Sequence, residues 1–446
     1  MNFDQARTFV LEEAKVKRAS VEVYAVSQAS TSIKAFEGEV SEFKLSKQMG
    51  LGVRALVNQA WGYSFTENFS EAALSRCLEM ALNNAELVEP VSHAVIGAWG
   101  EPPHVGDLYG EGLSGVNIER KVQLALNLER ATRNADPRVK TVPYAMYSDG
   151  EAQTAVANTA GLDRSYKENF AYQFAEPLVS ENGQNKSAYK FKFSREFEQL
   201  DPNQTALEAV RKSLAMLGGL PAPSGAYAVV IDRDCMATFL GTFAGMFSAK
   251  QVQDGKSPLA GKLEQSIGSS VVSILDDATR TGGIDSRPFD SEGFPSQKLV
   301  LLERGVLKNF MHNSETAAKV GLQSTGHGSR YGYRGTVGVS PSNFYIEPGT
   351  GTREDLISSV ESGVLLTAIH GYHAGANSIN GDFSLQADGF WISGGKVSHP
   401  LEVFTVAGNF LELLQNIEAV ADDLEFKMDG IGGSSVRVKS LNIGGQ

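Results

Sequence analysis

The segment His370–Asn409, HGYHAGANSINGDFSLQADGFWISGGKVSHPLEVFTVAGN, holds the densest set of residues that could do chemistry. It combines two histidines three apart, an Asn-Gly-Asp turn, an aromatic pair and repeated glycines. Those types are expected where backbone and polar side chains approach a ligand closely. His370 and His373 would share a metal only if the chain looped there and brought a third ligand such as Asp382. If the preceding LLTAI strand continued through them, their odd offset would point them to opposite faces.

Other groups invite chemistry and have plainer alternatives. Cys235 falls near the start of an expected helix, where the dipole could lower its pKa and make a nucleophile. With no identified histidine partner, a packed small residue is the stronger reading. Asp276, Asp277, Asp285, Asp290 and Glu292 could bind a cation or supply paired carboxylates. They are interleaved with turn formers in TGGIDSRPFDSEGFP, so we read them as solvated turns that hydrogen-bond their own backbone. GLGVRA, residues 50–55, formally fits a dinucleotide fingerprint, yet β-formers follow where a helix must begin, which points to a glycine-shaped hairpin. In DGKSP, Asp254–Pro258, the first glycine of a phosphate loop would fall on Lys250, and no G-x-S-x-G elbow exists.

The elements that must position these groups follow from periodicity. Residues 3–18 carry the helical stripe Phe3, Ala6, Val10 and Ala14. From Val21 to Ser64, short β-favouring runs broken at Gly38, Gly50 and Asn58-Gln59 predict a meander. Ser70 caps a helix with Leu74, Cys77, Leu78, Ala81, Leu82 and Ala85 inward, making Cys77 a core thiol. An aperiodic connection spans 89–116, and Asn117 starts a helix to about Asn134. A second β region occupies 138–195, with turns expected at Asp149-Gly150, Asn158–Gly161 and Asn182-Gly183. A helix over about 203–217 is expected to bury Leu207, Val210, Leu214 and Leu217 and to stop at Gly218-Gly219. The two β-plus-helix blocks before Pro221 raise an old duplication without demonstrating it. After the PAPSG boundary, GAYAVVID is a buried strand and Asp232 caps a helix with Met236, Phe239, Leu240, Phe243 and Phe247 on one face. Strands and loops follow, LELLQNIEAVADDL is a late short helix, and SVRVKSLNIGG is a terminal strand.

At 446 residues, with 42% hydrophobic and 21% charged, the chain suits a globular protein of two or three domains. A net charge of −12 disfavours nonspecific binding to nucleic acid or anionic membrane. The N-terminal residues do not read as a signal peptide, and no segment reaches the ~18 apolar residues of a membrane span. Two cysteines exclude a disulfide framework, and a cytoplasmic location is expected.

Together, SILDDATRTGGIDSRPFDSEGFPSQKLVLLERGVLKNFMHNSETAAKVG, STGHGSR, GANSINGDFSLQADGFWISGGK, HPLEVFTVAGNFLELLQNIEAVADDL and the LNIGG end resemble the TldD/PmbA family, and more closely its PmbA (TldE) branch. EGEV, GLGVRALV and WGYSFTENFS extend the resemblance over nearly the whole chain. It implies an α+β fold with a β-rich C-terminal domain, and membership of a bacterial cytoplasmic peptidase system acting on unfolded peptides, including bacteriocin precursors and antitoxins. Some members carry a modulator-of-DNA-gyrase name, but the acidic charge argues against direct DNA contact.

In the TldD branch, as the resemblance implies, a helix carries HExxxH: two histidines hold zinc, the glutamate activates water, and a cysteine near the C-terminus is a further ligand. Here FLGTFAGMF places Gly241 and Thr242 at the His-Glu positions and Met246 at the second histidine, and the cysteine position falls in DGIGGSS near Ile431. Glycine has no ligand atom, threonine is no base near pH 7, and a lone thioether holds Zn²⁺ poorly.

The expectation is therefore an α+β chain with an N-terminal domain over 1–110, a middle region over 111–220 and a β-rich domain over 221–446. It has no catalytic or metal-binding residues of its own, the zinc being expected in a TldD-type partner. Peptide contact is expected at His370, Gly371, His373, Gly375, Asn377, Gly381, Asp382 and Phe383, with β-addition as the grip. The assembly is a hetero-oligomer with that paralogue, or a homodimer. The alternatives are an autonomous hydrolase using Cys235 or a His370/His373 site, and a homo-oligomeric peptide-binding protein.

Overall fold

The computed structural model describes residues 1–91 and 93–445. The first half builds one twisted sheet. Helix α1 (Phe3–Val16) is capped by Asn2 and buries Phe3, Ala6, Val10 and Ala14 as the periodicity predicts. Strands β1 (Ser20–Phe36), β2 (Glu39–Val57) and β3 (Ala60–Thr66) form an antiparallel meander, and α2 (Glu71–Glu86), capped by Ser70, follows. Helix α3 (Ile118–Asn134), capped by Asn117, leads into β4 (Val139–Asn158), β5 (Asp163–Glu181), β6 (Gln184–Ser187) and β7 (Lys190–Ser194), and α4 (Pro202–Ala215) closes the block. The sheet order is β3-β2-β1-β4-β5-β6, with β7 also on β5. The two blocks have similar element orders across the central antiparallel β1–β4 pair: helix, long hairpin, then one short strand in the first block and two in the second, and a closing helix.

Several local expectations change. Neither Gly50 nor Asp149-Gly150 breaks a strand: Gly50 pairs with Val26 inside β2, and Gly150 lies mid-β4, opposite Phe170 and Ser30. Both glycines mark close approach, since a β-carbon at Gly150 would stand 2.9 Å from the Phe170 ring. Helix α4 buries Thr205, Ala206, Ala209, Val210 and Ser213, while Leu207 is exposed. Alanines of α4 meet Ala145 and Ala175 of the sheet, and this short-residue contact leaves Leu207 on the outside while Leu214 and Leu217 are half-buried.

The second half begins with β8 (Gly225–Ile231) and α5 (Arg233–Phe243), continued by a 3₁₀ turn over Ala244–Phe247. Strands β9 (Ile274–Asp277), β10 (Lys298–Glu303) and β11 (Phe344–Ile346) precede β12 (Ser362–His370), β13 (Asp382–Ser393), β14 (Lys396–Pro400) and β15 (Phe404–Asn409). Helix α6 (Phe410–Gln415), β16 (Ile417–Val420), β17 (Ile431–Gly433) and β18 (Val436–Gly444) complete the chain. The expected late helix thus stops at Gln415; Ile417–Val420 pairs with β18 instead, tertiary pairing overriding local pattern. Pairing runs β12-β8-β18-β15-β13 and returns from β13 to β12, closing a five-stranded ring. Strands β10-β9-β11-β17 form the middle of a second, six-stranded sheet. The fold is α+β with a β-rich C-terminal half. No described helix is long and apolar enough to cross a membrane.

Candidate functional site

Helix α5 sits between the closed ring and the second sheet. The Asp232 carboxylate caps it by accepting from the Asp234 N–H at 3.2 Å, and Arg353 holds the other carboxylate oxygen at 2.8 Å. Met236, Phe239, Leu240 and Phe243 are fully buried; each such side chain contributes about 1.5–3 kcal/mol. Phe383 of β13 belongs to this core. It is 4% exposed and meets Phe239 edge-on at 5.1 Å, which removes it from the expected peptide surface.

The opposite face carries Gly241 and Thr242. A β-carbon on Gly241 would stand 3.5 Å from Ile431 Cγ1 and 4.0 Å from Asp429 Oδ2. Strand β17 docks this tightly because Gly433 has no side chain: a β-carbon there would be 2.1 Å from the Arg233 carbonyl oxygen. The helix and the C-terminal segment that stand where the resemblance implies the zinc motif and its cysteine therefore meet in space. Thr242 Oγ1 donates to the Thr238 carbonyl at 2.7 Å, and Lys427 Nζ donates to Thr238 Oγ1 at 2.8 Å. Met246 lies in the 3₁₀ turn, 1% exposed. A glycine, a helix-bonded hydroxyl, a packed thioether and an isoleucine do not fit zinc, which wants imidazole, thiolate or carboxylate donors in a tetrahedron. Among the described residues, no group of three or more His, Cys, Asp or Glu side chains is placed to hold a metal ion.

The histidine segment separates rather than converges. His370 ends β12, and its Nε2 lies 2.7 Å from Asp388 Oδ2; that carboxylate raises the pKa of the half-exposed imidazole. Gly371 then takes φ +68°, and a one-turn helix over Tyr372–Gly375 places His373 against the Tyr372 ring. Gly375 packs on β13, a β-carbon there falling 2.4 Å from the Ser384 carbonyl. Gly381 is buried, and Asn380 and Asn409 hold the Asp382 carboxylate. The glycines thus serve the loop's own return path. Strand β12 pairs with β13 along its length but with β8 only over Gly363–Leu366, so among the described residues the flank of β12 beyond Leu366 has no strand partner. His370, Gly371, His373, Asn377 and Asp382 stay exposed as a rim.

The acidic residues hold the largest surprise. Asp276, Asp290 and Glu292 are at most 1% exposed and are not solvated turns. Glu292 accepts from Arg54 Nη1 at 2.9 Å, from Ser314 Oγ at 2.7 Å and from the Ser314 N–H at 2.7 Å. Arg54 also donates to Glu22 at 2.8 Å and lies over the Trp61 ring, and Arg330 reaches Glu22 from the other side. Asp290 accepts from the N–H groups of Glu292, Phe294 and Gly328, while burial and the neighbouring Glu292 push it up to about 7. Asp276 binds His327 Nε2 at 3.0 Å and the Ser342 N–H at 2.7 Å. These bonds tie β1 and β2 to the STGHGSR loop, so the cluster joins the two halves of the chain. Its signal in the sequence was a charge inside an apolar strand: Glu22 in VEVYAV and Arg54 in GLGVRALV, directly opposite in register.

Cys235 is 1% exposed and its thiol is pushed well up by burial, the reverse of an activated nucleophile.

Three family models match the chain in order: PmbA/TldA metallopeptidase domain 1 over residues 21–85, the central domain over 111–217 and the C-terminal domain over 224–445. A metalloprotease PmbA homolog of Haemophilus influenzae is 26% identical, covering 99% of this chain and 96% of its own length. A metalloprotease TldD homolog from the same organism is also 26% identical, over 92% of this chain and 89% of its own. A crystal structure from Thermotoga maritima, carrying the modulator-of-DNA-gyrase name, superposes with a TM-score of 0.91 at 29% identity, covering 99% of this chain and 100% of that one. TldE from Thermococcus kodakarensis shares the fold, with a TM-score of 0.88 at 22% identity over 99% of this chain and 100% of its own. Three domain models in sequence, reinforced by relatives matched nearly end to end, establish that the chain belongs to the PmbA/TldD metallopeptidase family.

Proposed function

We propose that this chain is the PmbA/TldE-like, non-catalytic subunit of a cytoplasmic zinc metallopeptidase that degrades or matures unfolded peptides. The zinc resides in a TldD-type paralogue, and this chain helps to shape the chamber and to hold extended substrate. The observation that carries the reading is the meeting of Gly241 with Ile431, where the family's catalytic branch would need a histidine and a cysteine. No histidine in the chain is followed by glutamate. The exposed rim of His370, His373 and Asn377 offers hydrogen-bonding side chains to a peptide. Beside that rim, the flank of β12 beyond Leu366 that β8 leaves without a strand partner offers backbone groups to an extended peptide.

The test mixes the purified chain with a TldD-type paralogue and an unfolded peptide. Cleavage should rise well above that of the paralogue alone, and the two chains should co-elute. Equal cleavage with and without this chain would sink the proposal.

A further inference from the structure

One cation beside Gly241 is left without a counter-charge. Lys427 lies on the hairpin that runs from Glu425 into β17, and its N–H donates to the Ile431 carbonyl at 2.9 Å. Its Nζ reaches across to α5 and donates to Thr238 Oγ1 at 2.8 Å, which uses one of the three ammonium protons. Thr238 brings no charge, and its own hydroxyl proton goes to the Asp234 carbonyl at 3.0 Å. The carboxylates nearby are engaged elsewhere. Glu425 is held by Lys190 and Arg233, and Asp234 by Lys212. Asp423 accepts from the N–H and the hydroxyl of Ser435, and Asp429 turns back to the Ile431 N–H at 3.2 Å. Among the described residues, no carboxylate pairs with Lys427. A half-buried ammonium left in this way, in a chain of net charge −12, is complementary to an anion from outside.

The helix face beside it has room for one. Thr238, Gly241, Thr242 and Gly245 fall on one stripe of α5 and the turn that continues it. The first three are half-exposed and Gly245 is exposed, with no neighbouring atom within 4 Å of where its β-carbon would stand. We propose that Lys427 binds a carboxylate of the extended peptide, its C-terminal group or an acidic side chain, while the neighbouring residues of the peptide lie along this stripe. Asp429 Oδ2, 4.0 Å from a β-carbon on Gly241, repels an anion further along, so the charges place the carboxylate at Lys427. Where the family's catalytic branch would carry its metal, this chain thus offers a cation of its own, which holds substrate and activates no water. The inference rests on the reading that this chain holds an extended peptide, and it needs neither zinc nor the paralogue.

Calorimetric titration of the whole chain tests it, with three short unstructured peptides of Gly, Ser and Ala, all acetylated at the N-terminus. One ends in a free carboxylate, one in an amide, and one in an amide with a glutamate at its centre. The plain amide should bind about ten-fold more weakly than the preferred carboxylate peptide, and the stronger of those two identifies the source of the carboxylate. Lys427→Met should abolish the difference. Lys427→Arg should keep it, and so should Thr238→Val, which loses the hydroxyl but not the cation; thermal unfolding checks that each variant folds. Equal binding of all three peptides by the wild type, or a preference that survives Lys427→Met, overturns the inference and leaves the peptide-holding role standing. If none of the three binds, both fall together.

Discussion

The ring of Tyr333 lies across Gly50 so closely that a β-carbon on Gly50 would stand 2.3 Å from the ring. Tyr333 comes from the second half of the chain, and its hydroxyl donates to Glu67 and accepts from Gln48, both in or beside the first sheet. At Gly52 the obstacle is different, the Tyr333 carbonyl oxygen at 2.2 Å. Gly50→Ala should therefore destabilise the protein by about 1–3 kcal/mol, the usual scale of overpacking. Combined with Tyr333→Ala it should cost little more than Tyr333→Ala alone. Gly52→Ala should not be rescued that way, because the backbone oxygen remains. Denaturant unfolding of the five variants checks this; additive losses at Gly50 would refute the contact.

Among the described residues, Arg54 is the only side chain hydrogen-bonded to both Glu22 and Glu292, and all three are buried. Removing one member of a buried ionic set leaves uncompensated charge, at about 3–5 kcal/mol. Arg54→Met should lose that much, and Arg54→Met/Glu292→Gln should recover part of it by neutralising the buried carboxylate left without its cation. Chemical denaturation measures both. A loss under ~1 kcal/mol for the single variant would mean water reaches the cluster.

Both cysteines should be silent to thiol reagents in the folded protein. Cys77 and Cys235 are 3% and 1% exposed, and burial raises both thiols above their ordinary range. Ellman titration should show no fast-reacting thiol in native buffer and two after unfolding. A native thiol reacting at the rate of free cysteine would revive a nucleophilic reading of Cys235.

What could be read from the sequence divides by the range of the forces involved. Caps at Ser70, Asn117 and Asp232 and the stripe of α5 are local, so periodicity and capping locate them. The breaks wrongly expected at Gly50 and Gly150 come from glycines whose reason lies across space, Tyr333 in one case and Phe170 in the other. Ring closure by β12 and β13 is likewise invisible to a strand-by-strand reading, and so is Leu366 as the point beyond which β8 no longer covers the flank of β12. The acidic residues misled most, because turn-forming neighbours suggest solvation while burial depends on where Arg54 and Ser314 arrive. The juxtaposition of Gly241 and Ile431 was foreshadowed only by family resemblance, since 190 residues separate them.

His312 gives a pH dependence of definite sign. It is 6% exposed, and burial lowers its pKa to about 4, while its Nδ1 lies 3.3 Å from Thr316 Oγ1. Between about pH 6.5 and pH 4 the unfolded chain binds a proton at this residue that the folded chain refuses. Stability contributed by neutral His312 is therefore present above the unfolded value and lost as pH falls, at about 1.4 kcal/mol per unit and up to about 3 kcal/mol in all. Asp290 acts with the opposite sign, since its raised folded pKa favours the protonated, folded form until pH climbs through about 7. The quantity to compare is thus the difference between wild type and His312→Gln, in which Asp290 cancels. Unfolding free energies from pH 4 to 7 should fall more steeply toward acid in the wild type than in the variant. Parallel curves would show that the imidazole takes its proton inside the folded protein.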